Sequence, residues 1–350
     1  MLKRNRILGA LAIALFAGIG VGAQAPAPAA PPPCSTASGE YVCGLQAPED
    51  LVVVPGGQWV VAGAYAGSGG IYLVRTSDRS VTLAYPSETA TDRFDAKTYA
   101  GCPGPPDAAA KAKYQTHGLS IRPGANGVHR LLAVLHGPRE SVEVFELDAR
   151  TATPMLTWIG CAVAPDPIGL NSVRWLEDGG FIATNFLARN AGAEGMKRLR
   201  SGEKNGELWE WHPGGGWQKV PGSESSGANG IEISPDGRWL YVAAWGSQSF
   251  YRLSRNQTPP VRNEVPLGFA VDNIRWAADG TILAAGQTFP GNPGASVVVK
   301  IDPETLNVRE LVRHPNTPGF SNGTVAVEVG KGLWIGTFRG DRAAIVPLPD

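Results

Sequence analysis

The stretch ANGIEISPDGRWLYVAAW, residues 228–245, decides the reading of the fold. Ile231 and Ile233 alternate with polar neighbours, Ser234-Pro235-Asp236-Gly237 supplies turn residues, and Trp239–Ala243 returns as a second apolar strand. The stretch is therefore a β-hairpin whose turn lies at its centre. Asn229-Gly230, a dipeptide that favours hairpin turns, stands instead in front of the first strand. Its presence there needs another explanation.

The same pattern recurs along the chain. EDLVVVPGGQWVVAG starts at Glu49, HGLSIRPGANGVHRLLAVL at His117 and NSVRWLEDGGFIATN at Asn171. NGIEISPDGRWLYVAA follows at Asn229, DNIRWAADGTILAAG at Asp272 and NGTVAVEVGKGLWIGT at Asn322. Each is a short strand, a glycine-containing turn and a second apolar strand. Further strands are expected at Glu207–Trp211 and Trp217–Val220, at Gln248–Leu253 and Val261–Val265, and at Ser296–Ile301 and Asn307–Val312. Six units of this spacing predict an all-β fold, a six-bladed β-propeller with a central metal site. A β-sandwich with irregular hairpins would not repeat six times in phase. The sixth unit runs short after Ala343–Pro347, and its open edge needs covering. Gly39–Leu45, ahead of the first unit, is predicted to close the last blade as an N-terminal strand. Helix is expected only at Asp107–Tyr114. The basic insertion Ala191–Lys204 reads as surface decoration rather than a lid.

Composition fits this picture. Lys plus Arg and Asp plus Glu both number 31 in 350 residues, so nothing in the net charge calls for nucleic acid or an anionic membrane as partner. The 45 glycines and 29 prolines suit a turn-rich β protein. Lys3, Arg4 and Arg6, followed by the apolar run Ile7–Ala23, read as a signal peptide over residues 1–25, with no membrane span left in the mature form. Residues 26–38 form a Pro/Ala-rich linker and residues 39–350 a single propeller domain. A periplasmic or secreted location follows, and with it two disulfides, of which Cys34–Cys43 and Cys102–Cys161 are the expected pairs.

Aligning the units explains Asn229. The residues in front of the first strands are Glu49, His117, Asn171, Asn229, Asp272 and Asn322, and Asp50 and Asn273 follow directly. First strands of propeller blades line the central channel, so these side chains point at one axis. Turn chemistry accounts for any single one of them, but not for the set. Glu49, Asn171, Asn229, Asp272 and Asn273 offer carboxylate and amide oxygens, the donor set of a hard cation. Ca²⁺, which takes roughly six to eight oxygens, fits better than Mg²⁺ or zinc. His117 is the candidate general base, and His136, at the end of the same unit, a candidate relay for its proton. No GxSxG elbow, HExxH or phosphate-binding loop occurs. Trp175, Trp239, Trp276 and Trp334 fall within strand patterns and read as packing between blades.

The motifs EDLVVVPGG, THGLSIRP, the VLH ending at His136, LNSVRWL, GANGIEISPDGRWLYVA and VDNIRWAADG appear in this order between about Pro48 and Gly286. This ordered set resembles the paraoxonase/arylesterase family, within the wider SMP-30/gluconolactonase/strictosidine synthase-like group. The resemblance implies a six-bladed propeller, one catalytic calcium and hydrolysis of lactones or aryl esters. Position by position it makes Glu49, Asn171, Asn229, Asp272 and Asn273 the calcium ligands, and His117 and His136 the proton-transfer pair. It also implies a second, structural calcium deeper in the channel, with Asp50 as a ligand. Ser172 departs from the pattern by standing where that family carries an aspartate. The mammalian members' disulfide between the N-terminal region and the C-terminus is missing, since no cysteine follows Cys161.

Two alternatives stand beside a lactonase/arylesterase acting on a small-molecule lactone or ester. One is a sugar-lactone hydrolase of the gluconolactonase type. The other is a non-catalytic propeller that binds a ligand or protein around a structural calcium. Substrate choice rests on the loops Ala64–Gly70, Gly101–Gln115, Asn185–Lys204 and Gln287–Gly294, and oligomeric state is left open by these residues.

Overall fold

The computed structural model describes residue 34 and residues 39–288 and 294–349. The segment expected to be a signal peptide, most of the expected linker and most of the loop Gln287–Gly294 lie outside the described residues. Six antiparallel sheets follow one another in chain order. Blade 1 is built from Pro48–Val53, Trp59–Ala64, Gly70–Arg75 and Val81–Tyr85. Blade 2 holds Gln115–Arg122, Val128–His136, Ser141–Asp148 and Met155–Val163, with Thr91–Asp92 added in parallel at its outer edge. Blade 3 comprises Leu170–Trp175, Phe181–Asn185, Glu207–His212 and Gly216–Lys219, and blade 4 Ala228–Ile233, Trp239–Ala244, Ser249–Ser254 and Arg262–Pro266. Blade 5 comprises Ala270–Trp276, Ile282–Gln287, Ala295–Ile301 and Val308–Pro315. Blade 6 takes Phe320–Val329, Gly332–Gly340 and Arg342–Pro347 from one end of the chain and Glu40–Cys43 from the other. Glu40 faces Ile345 and Cys43 faces Arg342 in antiparallel register. This is the six-bladed propeller that the repeat predicts, closed where Gly39–Leu45 is expected to close it.

The ring forms because each blade is apolar on both faces. Second strands such as WVVAGA and WLYVAA are buried along nearly their whole length, since one face packs on the preceding blade and the other on the following one. The hydrophobic clusters accordingly lie between blades. One joins Leu51 and Val60 to Val325 and Trp334 across blades 1 and 6, and another joins Tyr241 and Phe250 to Ile274 and Val297 across blades 4 and 5. Trp334 is buried, and Trp175, Trp239 and Trp276 pack against the same clusters, as their strand positions predict. Each inner strand touches the inner strand of the next blade, and the sixth touches the first, so the six surround one axis.

Both disulfides pair as expected, Cys34 with Cys43 and Cys102 with Cys161. The second fastens the segment before blade 2 to that blade's outer strand. Among the described residues α-helix is confined to Ala108–Lys111, where Asp107 caps the first turn, and Gly192–Arg200. The second helix is not mere decoration, because Leu199 is fully buried among Trp245, Phe186, Leu187 and Met196.

Tyr41 anchors the closing strand. Its ring is buried, meets His314 and Phe320, and places its hydroxyl 3.0 Å from Thr317. Tyr41→Ala is expected to cost about 3–5 kcal/mol in urea unfolding, as large aromatic deletions in cores do. A loss below about 1 kcal/mol, the size of a surface change, would show that this strand does not hold the ring shut.

Candidate metal centre

In every blade the pairing of the inner strand slips by one residue at the same height. The slips fall between Pro48 and Asp50, Thr116 and Leu119, Leu170 and Val173, Ala228 and Ile231, Val271 and Ile274, and Gly323 and Ala326. Such a bulge inserts one unpaired residue and re-aims its side chain. The inserted positions are those of Glu49, His117, Asn171, Asn229 and Asp272, which explains why polar residues interrupt otherwise apolar strands. In blade 6 the bulge falls two residues later than the alignment on Asn322 suggests. Thr324 holds the ring position and donates its hydroxyl to the Glu49 carbonyl at 2.6 Å. Asn322 lies outside the bulge, in the left-handed conformation with φ 62°.

The five proposed ligands form one connected cluster. Asn273 Nδ2 donates to Glu49 Oε1 at 2.7 Å. His117 Nε2 lies 3.5 Å from the same Glu49 oxygen and 3.4 Å from Asn171 Nδ2. Asp272 contacts both the Glu49 carboxyl and the Asn229 amide. All are buried. Four side-chain oxygens in the cluster have no hydrogen-bond partner: Glu49 Oε2, Asn171 Oδ1, Asn229 Oδ1 and Asn273 Oδ1. Leaving one buried acceptor unpaired costs about 1–3 kcal/mol, so four in one place call for a missing positive partner. Two carboxylates and three amide oxygens suit Ca²⁺ in charge and hardness. Among the described residues no group of three or more His, Cys, Asp or Glu could hold a metal ion. The asparagines are therefore indispensable to such a centre.

Electrostatics point the same way. Burial, followed by repulsion from Asp50, pushes Glu49 well above the usual carboxylate range. Burial, followed by repulsion from Glu49, does the same to Asp272. Burial also holds His117 down to about 4, against the opposing pull of Asp50 and Glu140, so its imidazole is neutral at physiological pH.

His117 belongs to a longer chain than sequence reading supplies. Its Nδ1 lies 2.8 Å from His136 Nε2, and His136 Nδ1 lies 2.9 Å from Glu140 Oε2. The other Glu140 oxygen accepts the Leu170 N–H at 2.6 Å, one residue before Asn171. A carboxylate can only accept, so His136 Nδ1–H is the donor to Glu140; where His136 Nε2 in turn accepts from His117 Nδ1–H, His117 Nε2 faces the cluster without a proton. Glu140 was missed because it follows the Gly137-Pro138 turn, where a carboxylate looks solvent-exposed. Its only sequence signal is the four-residue step from His136.

Aromatic residues stand at the ends of second strands, with Tyr65, Phe186 and Trp245 just beyond them and Phe338 within the last. The Tyr65 ring centre lies 4.5 Å from His117, 5.9 Å from His136 and 5.2 Å from Phe338, and Phe186 packs on Trp245 at 5.8 Å. These residues also escaped the sequence reading, since single aromatics at strand ends have no pattern.

No family model and no curated protein sequence matches the chain. Solved structures do resemble it. A gluconolactonase from Xanthomonas campestris superposes with a TM-score of 0.56 at 16% identity, covering 88% of this chain and 89% of its own. Regucalcin from Agrobacterium tumefaciens, described as a calcium-binding protein, gives 0.52 at 12% identity, covering 89% of this chain and 93% of that one. A streptogramin B lyase gives 0.51 at 10% identity, with 89% and 97% covered. Such likenesses show a shared fold, one that carries more than one chemistry, and leave the reaction to the site.

A carboxylate with a raised folded-state pKa loses stability as pH climbs from its unfolded value, about 4, toward the folded one. In chelator, the Asp272→Asn variant is therefore expected to gain on the wild type as pH rises from 5 to 7.5, because it sheds the repulsion with Glu49. Saturating Ca²⁺ should reverse the order. Urea midpoints of both proteins at both pH values check this, and an unchanged difference would show that the two carboxylates do not repel.

Proposed function

We propose that this chain is a calcium-dependent hydrolase of lactones or aryl esters, with residues 39–350 as the mature catalytic domain. The observation that carries the reading is the set of four orphaned oxygens beside the His117 Nε2. Glu49, Asn171, Asn229, Asp272 and Asn273 would hold the ion. When bound, Ca²⁺ supplies a Lewis acid that polarises the substrate carbonyl and stabilises the oxyanion formed on attack.

The remaining chemistry belongs to the chain. His117 Nε2 accepts a proton from the attacking water. The charge that develops on the imidazole is shared through His136 and countered by the Glu140 carboxylate. The Glu140 bond to the Leu170 N–H keeps the two rings in register with the Asn171 strand. Tyr65, 4.5 Å from His117, and Phe338 beside it give the neighbourhood an apolar face suited to alkyl or aryl groups. That favours hydrophobic lactones and aryl esters over a sugar lactone, although the likeness to a gluconolactonase keeps the sugar lactone as the second reading. The two disulfides fit an oxidising compartment, so a periplasmic or secreted location is part of the proposal. Among the described residues no helix is long and apolar enough to cross a membrane.

The test is hydrolysis of phenyl acetate, an alkyl-substituted γ-lactone and gluconolactone, with and without chelator. Chelator-sensitive activity, higher on the first two, is expected. Binding of Ca²⁺ without hydrolysis of any of them would leave a ligand-binding propeller. His117→Ala is expected to lower kcat by about 10²–10⁴-fold while calcium affinity stays near wild type. Unchanged kcat would remove the base and leave the ion. Glu140→Gln should keep KM and lower kcat by about 10–100-fold, and Glu140→Asp should recover part of the loss. Equal loss in both variants would mark Glu140 as structural only.

A further inference from the structure

Below the proposed ion the channel is lined by arginines as well as by oxygen donors. Three residues past each bulge position the inner strands present Val52, Ser120, Arg174, Glu232, Arg275 and Val327, which also line a cavity of about 410 Å³. Arg174 and Arg275 are both buried there. Arg275 Nη2 pairs with Asp50 Oδ1, its Nε donates to the Leu51 carbonyl at 3.2 Å, and its Nη1 donates to its neighbour's carbonyl, that of Ile274, at 2.8 Å. Arg174 Nε pairs with Glu232 at 2.9 Å, and its Nη1 and Nη2 donate to the carbonyls of Leu119 at 2.8 Å and Ile274 at 3.2 Å. Arg275 also reaches the Leu119 carbonyl at 3.4 Å. Two guanidinium groups thus tie together the inner strands of blades 1 to 5.

Asp50, the expected ligand of a deeper calcium, has no oxygen to spare. Its Oδ1 accepts from the Leu51 N–H at 2.8 Å as well as from Arg275, and its Oδ2 accepts from the Leu119 N–H at 2.6 Å. At the same height Ser172 offers a single unpartnered hydroxyl, where a carboxylate would be needed. The residues do not fit a second divalent ion.

We infer that Arg275 stands in for that ion, so that the channel takes up one calcium, at the Glu49 level, and is braced underneath by a covalently attached cation. The inference rests on the ion site proposed above. A guanidinium makes directional bonds to carbonyls as well as to a carboxylate, so it can join several strands as a multidentate ion would. Unlike an ion, it cannot be removed by chelation. A divalent ion at Asp50 would face this fixed positive charge with little solvent to screen it.

The experiment is Ca²⁺ titration of the chelator-stripped protein by calorimetry, with elemental emission to count ions after gel filtration. Wild type is expected to bind one Ca²⁺ per chain, and Glu49→Gln to bind none. Two ions on the wild type would overturn the inference while leaving the upper site intact. None would overturn the upper site and this inference with it. Ser172→Asp combined with Arg275→Gln supplies a carboxylate and frees Asp50, and is expected to gain a second Ca²⁺ binding event. A folded double variant that still binds one ion would show that Arg275 is not what keeps the second out. If that variant does not fold, the wild-type count decides.

Discussion

Four side-chain oxygens, from four separate sheets, are buried around one axis with no proton donor to satisfy them. That constraint organises the centre of the molecule. Each such oxygen is costly alone, and a polypeptide would not gather several in one place unless something positive were to join them. The surrounding architecture serves this arrangement. Bulges turn one residue per inner strand toward the axis, apolar faces between blades hold the strands at fixed height, and the Thr324 hydroxyl pins the Glu49 backbone. The histidine chain extends it outward, since Glu140 lies 2.9 Å from His136 and is itself anchored one residue from Asn171.

The propeller was legible in the sequence because it repeats. Alternating apolar residues, turn glycines and a polar residue in front of each first strand recur six times, and a repeated signal survives errors at any one unit. The polar cluster was legible for the same reason, as a column in an alignment rather than as a local motif. The alignment failed in blade 6, where only the pairing register reveals that Thr324, not Asn322, sits at the bulge. Glu140, Tyr65 and Phe338 were not legible. They reach the site from loops and strand ends, where position depends on how the chain turns rather than on periodicity. Arg174 and Arg275 were in plain view within the aligned units. Their meaning is hidden, because an arginine inside a strand reads as an outward-facing residue until the two-fold alternation is broken by a bulge.

The channel separates two kinds of positive charge by level. Above, uncommitted oxygens surround the site proposed for a mobile ion. Below, guanidinium groups are permanently paired with Asp50 and Glu232. Burying such pairs does little for net stability, but it sets the spacing of the strands without dependence on what is dissolved outside. A ring braced this way does not depend on the ion proposed above it.

The closing strand has a consequence for how the molecule comes into being. Glu40–Cys43 can pair only with Arg342–Pro347, so one of the earliest pieces of the folded chain has to wait for one of the last. Until then the edge left by the missing neighbour is open to any passing strand, and contacts so distant along the chain form slowly. During biogenesis the vulnerable interval therefore runs almost the whole length of synthesis, and ends with a single seam.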